Sequence, residues 1–271
     1  KDDLSTSDTV VLDIDHRDSR TIESSAVEKV EIIIPEMDDE FLLGDFDKVL
    51  FRDDKLFVKP ANRGKLFLFS TDGEGLSIID NVGAGPGEYL QLTDFDVDTL
   101  NRQIIILDAG NRKMLHYSYD GELLTEKPFD LYIKLLKAYY ADGEVNYIVD
   151  LGSSKLLPGQ STSYSINIFS NTWEFLRGYF EFSKPQVGMI GDIYMLFNKS
   201  GGTTGYYKPF TDGIYHFEDD GMFQAYKLKF QLPVMPYEIF EADPYGSHAM
   251  NGHTYNIVYD ENDDLLFIEY L

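Results

Sequence analysis

The sequence predicts an all-β chain folded as a β-propeller of antiparallel four-stranded meanders. Short apolar runs recur about every ten residues, each closed by an Asp-Gly, Asn or Gly turn. Tyr and Phe number 19 each among 271 residues, and aromatic side chains favour pleated, half-buried surfaces. A strand–turn–strand–turn unit also repeats. A shift of 48 sets Leu56 on Ile104, Phe69 on Tyr117, and Asp72-Gly73-Glu74 on Asp120-Gly121-Glu122. Asn62-Arg63 meets Asn111-Arg112 once one residue near Gly64 is treated as an insertion. One meander cannot bury both faces, so each packs on the next in a ring.

Val10-Val11-Leu12-Asp13-Ile14 reads as the first strand, placed to complete the last blade and close that ring. Val30-Glu31-Ile32-Ile33-Ile34, stopped by Pro35, reads as the second. Val49-Leu50-Phe51, Lys55-Leu56-Phe57-Val58 and Lys65-Leu66-Phe67-Leu68-Phe69 follow, then the repeat running from Gln103 to Ser118. Residues 130–140 are the best candidate for a helical stripe, yet they also fit two strands around a bend. Residues 145–149, 164–169 and 173–180 supply another blade, with a longer insertion around 152–163. Weaker echoes begin at Gly213-Ile214-Tyr215-His216-Phe217 and at Ile257-Val258-Tyr259-Asp260, the latter resuming at Leu265-Leu266-Phe267-Ile268. The chain therefore covers four to five blades of a single propeller domain, 1–271, with residues 1–9 as a polar tether and the C-terminal blade or blades missing.

Acidic residues outnumber basic ones 47 to 23, a formal charge of −24 that repels phosphate backbones and excludes nucleic acid as a partner. Solubility is the simplest use of that charge; recruitment of a cationic partner or of Ca²⁺ is the sharper one. With no cysteine there is no disulfide, thiolate nucleophile or Cys-based zinc site. No apolar run approaches the ~18 residues of a membrane helix. The polar start, Lys1-Asp2-Asp3-Leu4-Ser5, fits either a cytosolic beginning or the remainder after a leader is removed.

The stretch Asn81-Val82-Gly83-Ala84-Gly85-Pro86-Gly87-Glu88-Tyr89, followed by Asp94-Phe95-Asp96-Val97-Asp98 and Ile104-Ile105-Ile106-Leu107-Asp108, resembles the six-bladed propeller proteins of Bacteroidetes cell envelopes. The turn Asp108-Ala109-Gly110-Asn111-Arg112-Lys113-Met114 is similar to that of NHL-type repeats. The resemblance is specific from about Phe41 to Phe129 and architectural beyond. It implies six blades and a secreted, periplasmic or outer-membrane lipoprotein of a Gram-negative bacterium, lipid-anchored upstream of residue 1. It carries no common activity.

Gly83, Gly85 and Gly87 evoke a phosphate loop, but position 88 is Glu and no helix follows, so an inter-blade turn is expected. Glu88 and Tyr89 stay as candidate ligand-binding residues, and Trp173, the one tryptophan, as a surface on which a sugar could stack, with a core or blade-edge place as the better reading. Asp260-Glu261-Asn262-Asp263-Asp264 carries oxygens at calcium-loop spacing but lacks the loop's glycine and final Glu, leaving a solvated turn as the better reading. Asp38-Asp39-Glu40 and Asp53-Asp54 read as surface turns. His16, His116, His216, His248 and His253 show no zinc-protease spacing, and Ser161 sits one glycine short of a nucleophile elbow. No catalytic residue, metal ligand or cofactor is assigned, Ca²⁺ being the one ion considered. The expectation is a non-enzymatic binding or scaffold propeller for a protein or carbohydrate ligand. The alternative is a hydrolase or lyase acting on a glycan or lactone through a metal in the central channel.

Overall fold

The computed structural model of the chain describes residues 9–15, 32–61, 64–131, 133–151, 161–182, 196–198, 203–218, 221–242, 252–254, 258–261 and 266–269. β1 (Val10–Ile14) precedes the first blade, built from β2 (Phe46–Arg52), β3 (Lys55–Pro60), β4 (Leu66–Ser70) and β5 (Gly75–Ile79). Blade 2 holds β6 (Asp94–Asp98), β7 (Gln103–Asp108), β8 (Lys113–Ser118) and β9 (Leu123–Pro128). Blade 3 holds β10 (Leu135–Ala141), β11 (Glu144–Asp150), β12 (Ser163–Ser170) and β13 (Phe175–Phe182). Blade 4 holds β14 (Leu196–Asn198), β15 (Thr204–Tyr207), β16 (Gly213–Glu218) and β17 (Gly221–Phe230). A short helix, α1 (Tyr237–Ala242), and a hairpin, β18 (Val258–Glu261) with β19 (Leu266–Glu269), follow. The protein is thus almost wholly β: four meanders in a propeller arrangement, with β18 lying beside β14.

The repeat seen in sequence is a turn with a fixed chemistry. In Ser70-Thr71-Asp72-Gly73-Glu74 and Ser118-Tyr119-Asp120-Gly121-Glu122, the serine Oγ accepts the N–H of the Asp and of the Glu at 3.2 Å. Gly73 (φ +90°) and Gly121 (φ +82°) supply the left-handed residue the turn requires. Blade 3 repeats the turn with Trp173 at that position, φ +68°, where a side chain costs about 1 kcal/mol or more. β13 begins at Phe175 rather than at Trp173, two residues past that position, as β5 and β9 begin two residues past Gly73 and Gly121.

Apolar faces fill the spaces between blades. Phe57, Leu66 and Leu68 of blade 1 meet Phe95, Ile104, Ile106 and Leu115 of blade 2 in one cluster. Ile105, Leu107 and Met114 meet Leu136, Tyr147 and Val149 in a second, and blades 3 and 4 share a third. Full burial of such side chains contributes about 1.5–3 kcal/mol each.

Three expectations change. Residues 32–34, the described part of the expected second strand, form no strand; Ile32 is 81% and Ile34 77% exposed, and Glu36 N donates to Gly73 O. Residues 130–140 give one strand, β10, after an irregular approach. β1 does reach blade 4, yet as a fifth strand, parallel to the outer edge of β17, with Val10 opposite Tyr226 and Ile14 opposite Phe230. Residues 1–8 of the expected tether lie outside the described residues, and the Thr9 hydroxyl donates to Gln224 O.

Candidate functional site

The first strand of blade 2 faces that of blade 3 and receives Lys48 from the first strand of blade 1, which gathers charged side chains along one line. In β6 the alternation of Asp94, Asp96 and Asp98 with Phe95 and Val97 would ordinarily mark a solvent face and a core face. Instead all five residues are buried. Phe95 and Val97 pack towards blade 1, and the carboxylates turn to the free edge of β10. That edge has no backbone partner on its inner side, so its N–H groups need other acceptors. Asp94 Oδ2 accepts Leu136 N at 2.9 Å, Asp96 Oδ2 accepts Ala138 N at 2.7 Å, and Tyr140 Oη donates to Asp98 Oδ1 at 3.3 Å. Side chains of one blade thereby replace a backbone ladder for the next.

Two lysines balance this row. Lys48 Nζ of β2 donates to Asp94 Oδ1 and to Phe95 O, both at 2.6 Å. Lys137 Nζ lies 3.8 Å from Asp96 Oδ1 with 4% of its side chain exposed. Burial drives the Lys137 pKa down from 10.5 to about 8; Asp96 and Asp94 oppose the shift, and Lys48 and Arg52 add to it. Among the described residues no group of three or more His, Cys, Asp or Glu is arranged to hold a metal ion. The carboxylates are spent on N–H, O–H and ammonium donors, which makes the row a seam between blades.

The candidates from sequence are scattered. Glu88 folds back so that its Oε2 accepts Gly85 N at 2.8 Å, and a side chain at Gly83 would collide with that carboxylate. Tyr89 is fully buried, and its hydroxyl donates to Ile79 O at 3.0 Å. The loop carrying both links β5 to β6 and is pinned by Tyr117 Oη donating to Gly87 O and by Gly87 N donating to Glu126 Oε2. Trp173 stacks on Phe169 at 4.9 Å and 14°, with Tyr147 and Phe129 tilted against it. Glu88 and Tyr89 thus share one loop, whereas Trp173 packs among a separate set of rings.

His116 is buried, with Nδ1 3.0 Å from Gln103 Oε1 and no partner on Nε2 among the described residues. Burial, reinforced by Lys127 and opposed by Asp98, lowers its pKa to about 4. His216 lies between the rings of Phe223 and Tyr226, while His16 and His248 are outside the described residues. Asp38 Oδ1 accepts Glu40 N and Phe41 N, a local turn. Asp260 and Glu261 lie in β18, and Asn262-Asp263-Asp264 are outside the described residues. Asp108, which caps Leu90 N, Gln91 N and Asn111 N, was not singled out in sequence; its place just before the Asn-Arg turn was the signal.

Radial meanders joined by an internal row of acids define a β-propeller in which inner-strand chemistry serves the ring. The chain belongs to the family described as domain of unknown function DUF4934, whose model matches residues 9–271. No protein of curated description matches it by sequence. Among solved structures it is similar to a predicted exported protein of Bacteroides fragilis, with TM-score 0.78 and 16% identity over 97% of this chain and 74% of that one. A member of the DUF4221 family from Bacteroides vulgatus aligns with TM-score 0.48 and 10% identity over 74% and 64% of the two chains. Virginiamycin B lyase from Staphylococcus aureus aligns with TM-score 0.42 and 11% identity over 81% and 61%.

Proposed function

We propose that the chain is a non-enzymatic binding or scaffold propeller of the bacterial cell envelope, six-bladed and carried as a secreted, periplasmic or outer-membrane lipoprotein. The observation that carries the reading is the occupation of Asp94, Asp96 and Asp98 by donors of blades 1 and 3. An acid that caps a buried N–H is poorly placed to ligate a metal or move a proton, because vacating it strands the donor. The description of the B. fragilis protein as exported supports the compartment.

Purified chain loaded in turn with Ca²⁺, Zn²⁺ and Mn²⁺ is expected to turn over no nitrophenyl glycoside or lactone above the buffer rate. Turnover that Asp96→Asn abolishes while the thermal midpoint holds would overturn the reading in favour of a channel enzyme. Fractionation of the native host is expected to find the protein outside the cytoplasm.

A further inference from the structure

We propose that the cleft between blades 3 and 4 binds a single neutral sugar ring, an inference that rests on the binding reading above and gives it a place. The cleft holds about 190 Å³, lined by Tyr139, Asp142, Asn146, Leu176, Arg177 and Gly221 among others. At about 30 Å³ per water that is room for roughly six waters, the bulk of one pyranose. It opens on the face that carries the two tight turns of each blade, since Asp142 and Gly143 join β10 to β11 and Gly221 begins β17.

The boundary between blades 1 and 2 shows what the same place looks like when filled. There Tyr119, two residues before Gly121, inserts its ring between the blades and donates its hydroxyl to Asp53 Oδ2 at 2.8 Å. Arg102 lies 5.0 Å over the same ring. Asp53 (φ +49°) and Asp142 (φ +53°) are equivalent turn residues. Two residues before Gly221 the sequence has Asp219 where blade 2 has Tyr119. Asp142 and Asn146 have no side-chain hydrogen bond among the described residues, and both face the cleft. Gly221 keeps it open: at φ +118° a side chain there would lie 2.6 Å from Arg177 Nη1.

A ring bearing hydroxyls replaces what Tyr119 contributes elsewhere. Carboxylate and amide within one small cleft match vicinal hydroxyls, which both donate and accept, better than a phenol with its single O–H. Ile168 and Leu176 offer the apolar wall that the C–H face of a pyranose needs. The Asp142 carboxylate, in a chain of formal charge −24, selects a neutral sugar over a uronic acid.

The test is calorimetric and ligand-observed NMR titration of the whole chain with methyl glucoside, galactoside and mannoside, N-acetylglucosamine, glucuronate and p-cresol. One neutral sugar is expected to bind with Kd on the order of 1 mM, the affinity open to about a dozen heavy atoms. Asp142→Gly, which keeps the left-handed turn, and Asn146→Leu are each expected to weaken it at least tenfold with the thermal midpoint unchanged. No saturation by any sugar up to about ten times that concentration, or equal binding by both variants, overturns the site and leaves the turnover test of the binding reading untouched. Tighter binding of p-cresol, lost in the same variants, overturns the sugar in favour of a phenolic ligand.

Discussion

Blades 2 and 3 are joined mainly by charge at their inner edge, whereas blades 3 and 4 are joined by rings. At the first boundary Asp94 and Asp96 reach the backbone of β10, with Lys48 and Lys137 alongside. At the second, Phe180 lies edge-on to Tyr215 at 4.9 Å and tilted to Tyr206 at 5.6 Å, and Tyr139 meets Phe217 at 6.0 Å. Two polar groups there are met by neutral partners: Met222 N donates to Tyr179 Oη at 2.9 Å, and Tyr139 Oη donates to Glu218 O. One propeller thus closes successive gaps by two means, and at the first the buried Lys137 ties stability to pH between about 8 and 10.5.

Breaking the aromatic boundary carries the largest expected effect. Phe180→Ala removes a ring packed on two tyrosines and under Lys208, and is expected to cost about 4 kcal/mol in urea unfolding, equally at pH 6 and pH 8. A pH-dependent loss would show that charge also holds that boundary. Asp94→Ala is expected to cost about 3 kcal/mol by stranding Leu136 N and the Lys48 ammonium, which is 12% exposed. A loss below about 1 kcal/mol would mean that water replaces the carboxylate.

Lys137 sharpens the contrast. Its folded pKa of about 8 lies below its ordinary 10.5, so the unfolded chain holds the proton more tightly between those values. Stability contributed through this group therefore rises with pH from about 8 to 10.5, and the penalty is fully present below 8. Lys137→Met is expected to stabilise the protein by about 2 kcal/mol at pH 7 and to flatten the rise measured from about pH 8 to 10.5. Destabilisation at pH 7 would show that the Asp96 pairing outweighs the burial of the ammonium.

The sequence made the radial repeat legible because the turn Ser-x-Asp-Gly-Glu is local: the serine caps, the glycine and the alternation on either side all lie within a few residues. Blade 3 keeps the turn with Trp173 where the glycine stands, so the Asp-Gly signal is missing there although its last strand begins at the same offset. The run of isoleucines at 32–34 has strand composition yet lacks a strand, because composition does not reveal whether an edge is available to pair with. The parallel seat of β1 on β17 joins residues more than 200 apart and has no local signal. For the same reason Asp94, Asp96 and Asp98 read as a polar face: their donors lie 42 residues ahead, on an edge that exists only once blade 3 is folded. Glu88, Tyr89 and Trp173 stand out in sequence as residue types, whereas the inter-blade cleft depends on how blades 3 and 4 meet.

The smallest effect probes the filled counterpart of that cleft. Tyr119→Phe keeps the ring between blades 1 and 2 and removes only the hydroxyl that donates to Asp53. Asp53 is 27% exposed and has Arg102 Nη1 at 4.0 Å, so its carboxylate keeps water and a cation. The expected loss is about 1 kcal/mol, read as a small drop in urea midpoint with unchanged slope. A null result would mean that the ring alone seals the boundary, so that at the cleft between blades 3 and 4 shape would count for more than the Asp142 carboxylate. A loss of several kcal/mol would make the hydroxyl-to-carboxylate bond the dominant contact and raise the weight of Asp142 in whatever fills its cleft.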